Sequence, residues 1–319
     1  MCAFTNVDSW VILSDIEQQI KEKIERIGTP LKDWDIQISY GIKTGLNEAF
    51  IVDGGKRKEL IAQDPKSEEI IRPILRGRDI KRYGYEFAEQ YLIATFPSKG
   101  YKIDDYPAVK NHLLTFGREL LIASGFAWIA KNYLREWCFK RLEQTGDDIY
   151  INGEKISFKN NTKSRKATTN KWFETQDSIS YWEDFSKQKI VWGEISDTTK
   201  FCIDLNGEFV TEATTFLLTG ESLFLLFGYL NSKLSEYLFS KIGTTTGVGT
   251  IRWKKYTIEK LHAPRVSSDR KEIYNTIVND IIENRKNNKE FEKQLAALNS
   301  LIYQDFQLTN EEIEFIEAQ

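Results

Sequence analysis

Residues 35–53, DIQISYGIKTGLNEAFIVD, constrain the fold more than any other stretch. Ile36, Ile38 and Tyr40 alternate with polar residues, the period of a strand with one buried face. Gly41 breaks the run, and Gly45 and Asn47 in the following KTGLN can take positive φ. Ala49-Phe50-Ile51-Val52 then resumes as a second strand, stopped by Asp53-Gly54-Gly55. The spacing predicts a β-hairpin. Its turn also offers exposed amides, Lys43 and Asn47, groups that suit a polyanion.

The rest of the chain reads as short strands followed by helices. Ile16, Ile20, Ile24 and Ile27 fall three and four apart, predicting an amphipathic helix capped by Ser14 or Asp15 and ended by Gly28-Thr29-Pro30. A short helix is expected over 67–72, a strand over 91–96, and a helix from Tyr106-Pro107 through Leu121. Lys189 to Trp192 reads as a buried strand, 201–205 and 209–211 as a hairpin around Asn206-Gly207, and 216–218 as a further strand. Residues 222–239 predict one buried helix, with Leu223, Leu226, Leu230, Leu234 and Leu238 at helical spacing. A small-residue loop, 243–250, then leads into a strand at 251–256. From Asp269 the pattern turns helical, and Thr309 with Glu312 has capping-box spacing.

With 319 residues, 41% of them hydrophobic, the chain can form one large domain or two smaller ones around a buried core. It contains no apolar run of about 18 residues, so no transmembrane helix is predicted, and its N-terminus lacks a signal-peptide pattern. Cys2, Cys138 and Cys202 are odd in number and widely spaced, predicting reduced thiols in a cytoplasmic protein. The net charge of −3 argues against a strongly basic nucleic-acid binder. The last 55 residues carry −4, however, so the remainder stands at +1. Any nucleic-acid site must therefore be a local basic patch.

Three such concentrations exist. Arg72, Arg76, Arg78, Lys81 and Arg82 cluster around the single Asp79, as a solvated loop or as a phosphate clamp. Residues 155–173 hold Lys155, Lys159, Lys163, Arg165, Lys166 and Lys171 with no acid, and their lack of periodicity predicts a long loop. Thr246, Arg252 and Lys254 lie at the junction after the buried helix. The middle is aromatic and basic, with Trp128, Tyr133, Trp137 and Phe139 near Lys131, Arg135, Lys140 and Arg141. Such aromatics fit a core more readily than a base-stacking platform.

GIKTGLNEAFIVD, IIRPILRGRDIKRY, EATTFLLTG, YLNSKLSEYLF, GTIRWKKYTIEKL and LNSLIYQDFQLTNEEIEFIE resemble, in order and spacing, the TaqI-like C-terminal specificity domain. That domain is the target-recognition part of adenine-N6 DNA methyltransferases and of restriction enzymes that fuse cleavage, methylation and recognition. The resemblance implies an α+β fold: a mixed β-sheet target-recognition domain with inserted helices and a helical C-terminal tail. The implied divisions are residues 1–34 as a linker from a missing catalytic region, 35–264 as the recognition domain and 265–319 as the tail. The implied partners are double-stranded DNA and the methyltransferase or nuclease domains of a parent polypeptide or separate subunit, with no membrane. The residues placed on DNA are Lys43, Thr44, Asn47, Arg76, Arg78, Lys81, Arg82, Lys163, Arg165, Lys166, Thr246, Arg252 and Lys254.

Catalytic signatures are sparse. The family's methyl transfer needs a cofactor-binding Gly-rich segment and an Asn/Asp-Pro-Pro-aromatic motif for the flipped adenine, and this chain has no Pro-Pro dipeptide. S-adenosylmethionine and Mg²⁺ are thus expected only in the missing catalytic domains. The loop at 243–250 lacks the Gly-Lys-Ser/Thr ending of a P-loop. Asp64, Asp79 and Lys81 are the strongest candidates for an alternative, metal-dependent nuclease. His112 and His262 have no metal-ligand spacing. A third reading makes the chain a docking protein through its helical tail.

Overall fold

The first helix forms where the isoleucine stripe predicts it. The Glu17 carboxylate accepts from the Ser14 backbone N–H and hydroxyl, both at 2.8 Å, closing a capping box, and Gly28 ends the helix in extended backbone. The computed structural model describes residues 13–114, 116, 142–145, 148–151, 154–155, 168–245 and 251–319. In chain order these form α1 (Asp15–Ile27), β1 (Gly28–Pro30), β2 (Ile36–Tyr40), α2 (Asn47–Phe50), β3 (Ile51–Asp53), α3 (Gly54–Gln63), β4 (Ile71–Leu75), β5 (Ile80–Lys81), β6 (Gly84–Tyr85), β7 (Gln90–Ile93), α4 (Pro107–Leu114), β8 (Leu142–Thr145), β9 (Asp148–Ile151) and β10 (Glu154–Lys155). After these come β11 (Lys189–Gly193), β12 (Ile195–Ser196), β13 (Phe201–Asp204), β14 (Val210–Thr211), β15 (Thr215–Gly220), α5 (Leu223–Leu230), α6 (Lys233–Ile242), β16 (Thr244–Thr245), β17 (Ile251–Arg252), α7 (Lys255–Ile258), β18 (His262–Pro264), α8 (Ser268–Lys286), α9 (Glu292–Asp305) and α10 (Asn310–Glu317). The fold is the mixed α and β arrangement that was expected, with several small sheets and C-terminal helices.

An antiparallel sheet of order β13-β11-β15-β2 divides two cores. Successive side chains on a strand point to opposite faces. Ile190, Trp192, Phe201, Ile203, Phe216, Leu218 and Ile38 therefore enter a core with α1, α5, α6 and the C-terminal helices. Val191, Cys202 and Leu217 enter a second core, under the sheet β14-β4-β7-β3. That second sheet is mixed, since β14 runs parallel to β4 while the other pairs are antiparallel.

The predicted hairpin at 36–52 does not form. β2 pairs with β15 and β3 pairs with β7, in different sheets. Gly41 is the crossing point. A Cβ there would lie 1.8 Å from the Glu212 carbonyl oxygen, so only glycine lets the chain pass from one sheet to the other. Ala49 and Phe50 belong to the helical turn α2, and Gly54-Gly55 opens α3 under an Asp53 cap to the Lys56 N–H.

The predicted hairpin at 201–211 fails for a similar reason. Its turn is present, with Gly207 at φ +65° against Ser186, but β14 leaves to pair with β4. The single helix expected over 222–239 is two, α5 and α6. Buried Asn231 turns its side chain to the Phe201 backbone, and Ser232 caps α6 through the Ser235 N–H. The expected strand at 251–256 is only β17, after which α7 begins. The helix from Pro107 is described to Leu114, and the aromatic-basic residues 128–141 lie outside the described residues. Helices α8, α9 and α10 follow the predicted pattern, and Thr309 with Glu312 forms the capping box.

Candidate functional site

The turn after Gly41 is built around Asn47. The Thr44 hydroxyl donates to Asn47 Oδ1 at 2.7 Å and accepts from the Leu46 N–H, while Asn47 Nδ2 donates to Glu212 Oε1 at 2.9 Å. Both ends of the amide are thereby fixed, and Asn47 and Lys43 stay exposed. Thr44 is only 1% exposed, so its assignment as a contact residue is corrected: it positions Asn47. The Gln176 N–H donates to the carbonyls of Lys43 and Thr44, which sets residues just past Lys171 against the same turn.

The basic run 76–82 divides. Arg76 makes a bidentate pair with buried Asp79, at 2.9 and 2.8 Å, and that bond holds its guanidinium above its ordinary pKa. Arg82 donates through Nε and Nη2 to the Asn231 carbonyl. Both arginines are engaged in holding the fold. Arg78 is exposed, and Lys81 is half-buried, 3.5 Å from Glu86. The Asp79 carboxylate closes the short helix at 77–79, as Asp64 caps the one at 65–70. Among the described residues no group of three or more His, Cys, Asp or Glu is placed to hold a metal.

Arg78 and Lys81 open onto a cleft of about 570 Å³. Its far wall is Glu194 to Asp197 with Lys200, a feature with no sequence signal beyond scattered polar residues. Gly77 and Gly193 line the cleft side by side, where a Cβ on Gly193 would make ordinary van der Waals contact, 3.5 Å, with Gly77 Cα. Lys200 pairs with Asp197 at 2.6 Å.

Beyond this wall β12, β17 and β16 form a small antiparallel sheet. Arg252 on β17 lies 3.4 Å from Glu194. The Glu194 N–H donates to the Thr214 carbonyl and its own carbonyl accepts from the Trp253 N–H. A contact path thus runs from Asn47 through Glu212 and the following turn to Glu194 and Arg252, with Gly77 packed on Thr214 between them. Lys254 is half-buried and sits over the Tyr256 ring. Lys163, Arg165, Lys166 and Thr246 lie outside the described residues. A second, apolar hollow of about 550 Å³, between α1, α6 and α7, contains none of the sequence-predicted residues.

Residues 131–262 match the model of the TaqI-like C-terminal specificity domain, a narrower span than the motifs, the first of which begins at Gly41. A solved structure described as the type IIL restriction-modification enzyme MmeI in complex with DNA is similar in fold, with a TM-score of 0.55 and 13% identity over 90% of this chain. The type IIG restriction endonuclease BpuSI aligns at a TM-score of 0.46 and 12% identity over 91% of the chain. The chain spans 35% of the first protein and 33% of the second. No curated protein matches it.

Proposed function

We propose that this chain recognises specific sequences in duplex DNA for a restriction-modification adenine-N6 methyltransferase or endonuclease whose catalytic domains lie elsewhere. The observation that supports this is that distant segments are joined by one path of contacts. Lys43 and Asn47, Arg78 and Lys81, Lys200 and Arg252 are tied together by the contact path through Glu212, Thr214 and Glu194. On a nearly neutral body, a local set of bases such as this suits a phosphate backbone. The specificity-domain match over residues 131–262 supports the same reading. With Asp64 and Asp79 engaged as caps, no observation favours the nuclease.

The partners in this reading are duplex DNA and the methyltransferase or nuclease domains of a parent polypeptide or separate subunit. No step through S-adenosylmethionine or Mg²⁺ is assigned to residues of this chain.

Fluorescence anisotropy on duplexes selected from a randomised library tests the proposal. If about four phosphates are neutralised, affinity falls with salt at a log–log slope near −3.6, from roughly −0.9 per contact. Arg78→Ala should weaken all duplexes alike and flatten that slope by about 0.9. Arg252→Ala should cost about 1–3 kcal/mol on the selected site and little on random duplex, if Arg252 pairs with a guanine edge. Failure to enrich or bind any duplex would overturn the proposal.

A further inference from the structure

The outer face of the small sheet pairs an arginine with an exposed isoleucine. Ile195 on β12 stands directly opposite Arg252 on β17 in the antiparallel register, and Ser196 stands opposite Ile251. Opposed residues share a face, with Cβ atoms about 5 Å apart. Ile251 packs against the core, so the alternation of the strand sends Arg252 and Ile195 outward together. Ile195 is 56% exposed and the Arg252 side chain 42%. A singly exposed apolar side chain is ordinary on a protein surface. This one has a defined neighbourhood, because it lines the cleft that also takes Arg78, Lys81 and Lys200.

The sheet is also held rigidly. The Trp253 N–H donates to the Glu194 carbonyl at 2.7 Å, Trp192 Nε1 donates to the Trp253 carbonyl at 2.8 Å, and the Trp253 ring stacks on Phe239 at 3.7 Å. Side chains on such an element are presented without loop ordering at the moment of binding.

We propose that the β12 edge of this small sheet, with β17 beside it, enters the DNA major groove, where Ile195 reads the C5-methyl group of a thymine beside the base contacted by Arg252. The inference rests on the DNA-recognition reading above and adds a ligand group to it. The major groove admits a two-stranded ribbon and displays the thymine methyl there, whereas the minor groove does not. An aliphatic side chain has no hydrogen bond to give a base, so a methyl is the one base-edge group it can select. Base pairs stack about 3.4 Å apart. Two side chains about 5 Å apart therefore reach the same or the next step. The flanking Arg78, Lys81 and Lys200 would follow the phosphates on the cleft side.

The test uses the full 319-residue chain and two randomised duplex libraries, one synthesised with thymine and one with uracil, which lacks only the C5-methyl. Wild type should select a site with a thymine preference at one position and lose that preference in the uracil library. On the selected duplex, replacing that thymine with uracil should weaken wild type about fourfold, the weight of one buried methyl group. Ile195→Ala should bind the thymine duplex with about that loss and no longer distinguish it from the uracil duplex. Ile195→Val, which retains branched methyls, should keep the distinction. Because Ile195 is exposed, unchanged melting should accompany both variants. Identical wild-type selection from both libraries, or an Ile195→Ala variant still sensitive to the methyl, would overturn the inference while leaving DNA recognition standing. No enrichment of any duplex would overturn both.

Discussion

Asp204 satisfies three groups at once. It takes the ammonium of Lys189, itself fully buried, and accepts the backbone N–H groups of Glu208 and Phe209. Burial lowers the Lys189 pKa by more than Asp204 raises it, so the net direction is down. Removing one partner of a buried pair leaves an uncompensated charge, which typically costs about 3–5 kcal/mol. Asp204→Ala should therefore lower stability by about that much in urea unfolding. Lys189→Met added to it should recover part of the loss, because the stranded ammonium is gone. A loss within about 0.5 kcal/mol, the range of an ordinary surface substitution, would show that the pair is not structural. Nothing in the sequence marks this lysine. KIVW reads as a buried strand with a polar first residue, and its partner lies fifteen positions on. The partner of Asp79, by contrast, is Arg76, only three residues away.

The same contrast holds for elements. Helix starts at Ser14 and Thr309 were legible because a cap is a local bond between residues three apart. Strand partners were not, because alternation fixes a strand's buried face but not its neighbour. Both expected hairpins failed that way, at Gly41 and after Gly207. In the candidate site, the exposed Lys43, Arg78 and Arg252 were legible as bases near turns. The engagement of Arg76, Arg82 and Thr44, and the presence of Ile195 and Lys200, depend on contacts far along the chain.

Helix α1 is docked by long-range ion pairs, Glu17 to Lys241 at 2.7 Å and Lys23 to Glu312 at 2.6 Å. Hydrogen bonds from Lys241 and Ser14 hold the Glu17 carboxyl at about 2, below its usual 4.5. Burial pushes the Glu312 carboxyl up, but Lys23 and the Thr309 N–H outweigh it and the net direction is down. A carboxylate held below its unfolded value contributes fully above that value and loses the contribution as pH falls through the folded one. Hydrogen exchange in α1 should therefore accelerate, relative to the sheet, as pH drops from 4.5 toward about 2. Glu17→Gln should already show part of that acceleration at neutral pH. Relative exchange that stays flat over this range in the wild type would rule out the docking role.

At the scale of the whole molecule, the open question is whether residues 265–319 stand apart from the body, as their acidic composition suggests. The packing supports a different division. Tyr274, Val278, Ile281, Leu298, Ile302, Phe306 and Ile316 share one core with Ile20 and Ile24 of α1, with Phe227 and Tyr229 of α5, and with the face of the central sheet that carries Trp192 and Phe201. The N-terminal segment is bound in as well, since β1 pairs with β18. We propose that the natural division runs along the central sheet, one core on each face. Each fully buried apolar side chain contributes about 1.5–3 kcal/mol. Removing seven from a single core takes away roughly 10 kcal/mol or more, comparable to the whole net stability of a typical domain, about 5–15 kcal/mol. Truncation at Val266 should therefore leave a fragment with no cooperative thermal transition and with Trp192 and Trp253 exposed to quenchers. The small sheet carrying Ile195 and Arg252 is rooted in that same core through Trp253, so the fragment should also lose discrimination between selected and random duplex before it loses salt-dependent binding. A truncated fragment that melts cooperatively and keeps its selectivity would place the boundary at residue 265 after all, with the tail as a separate unit.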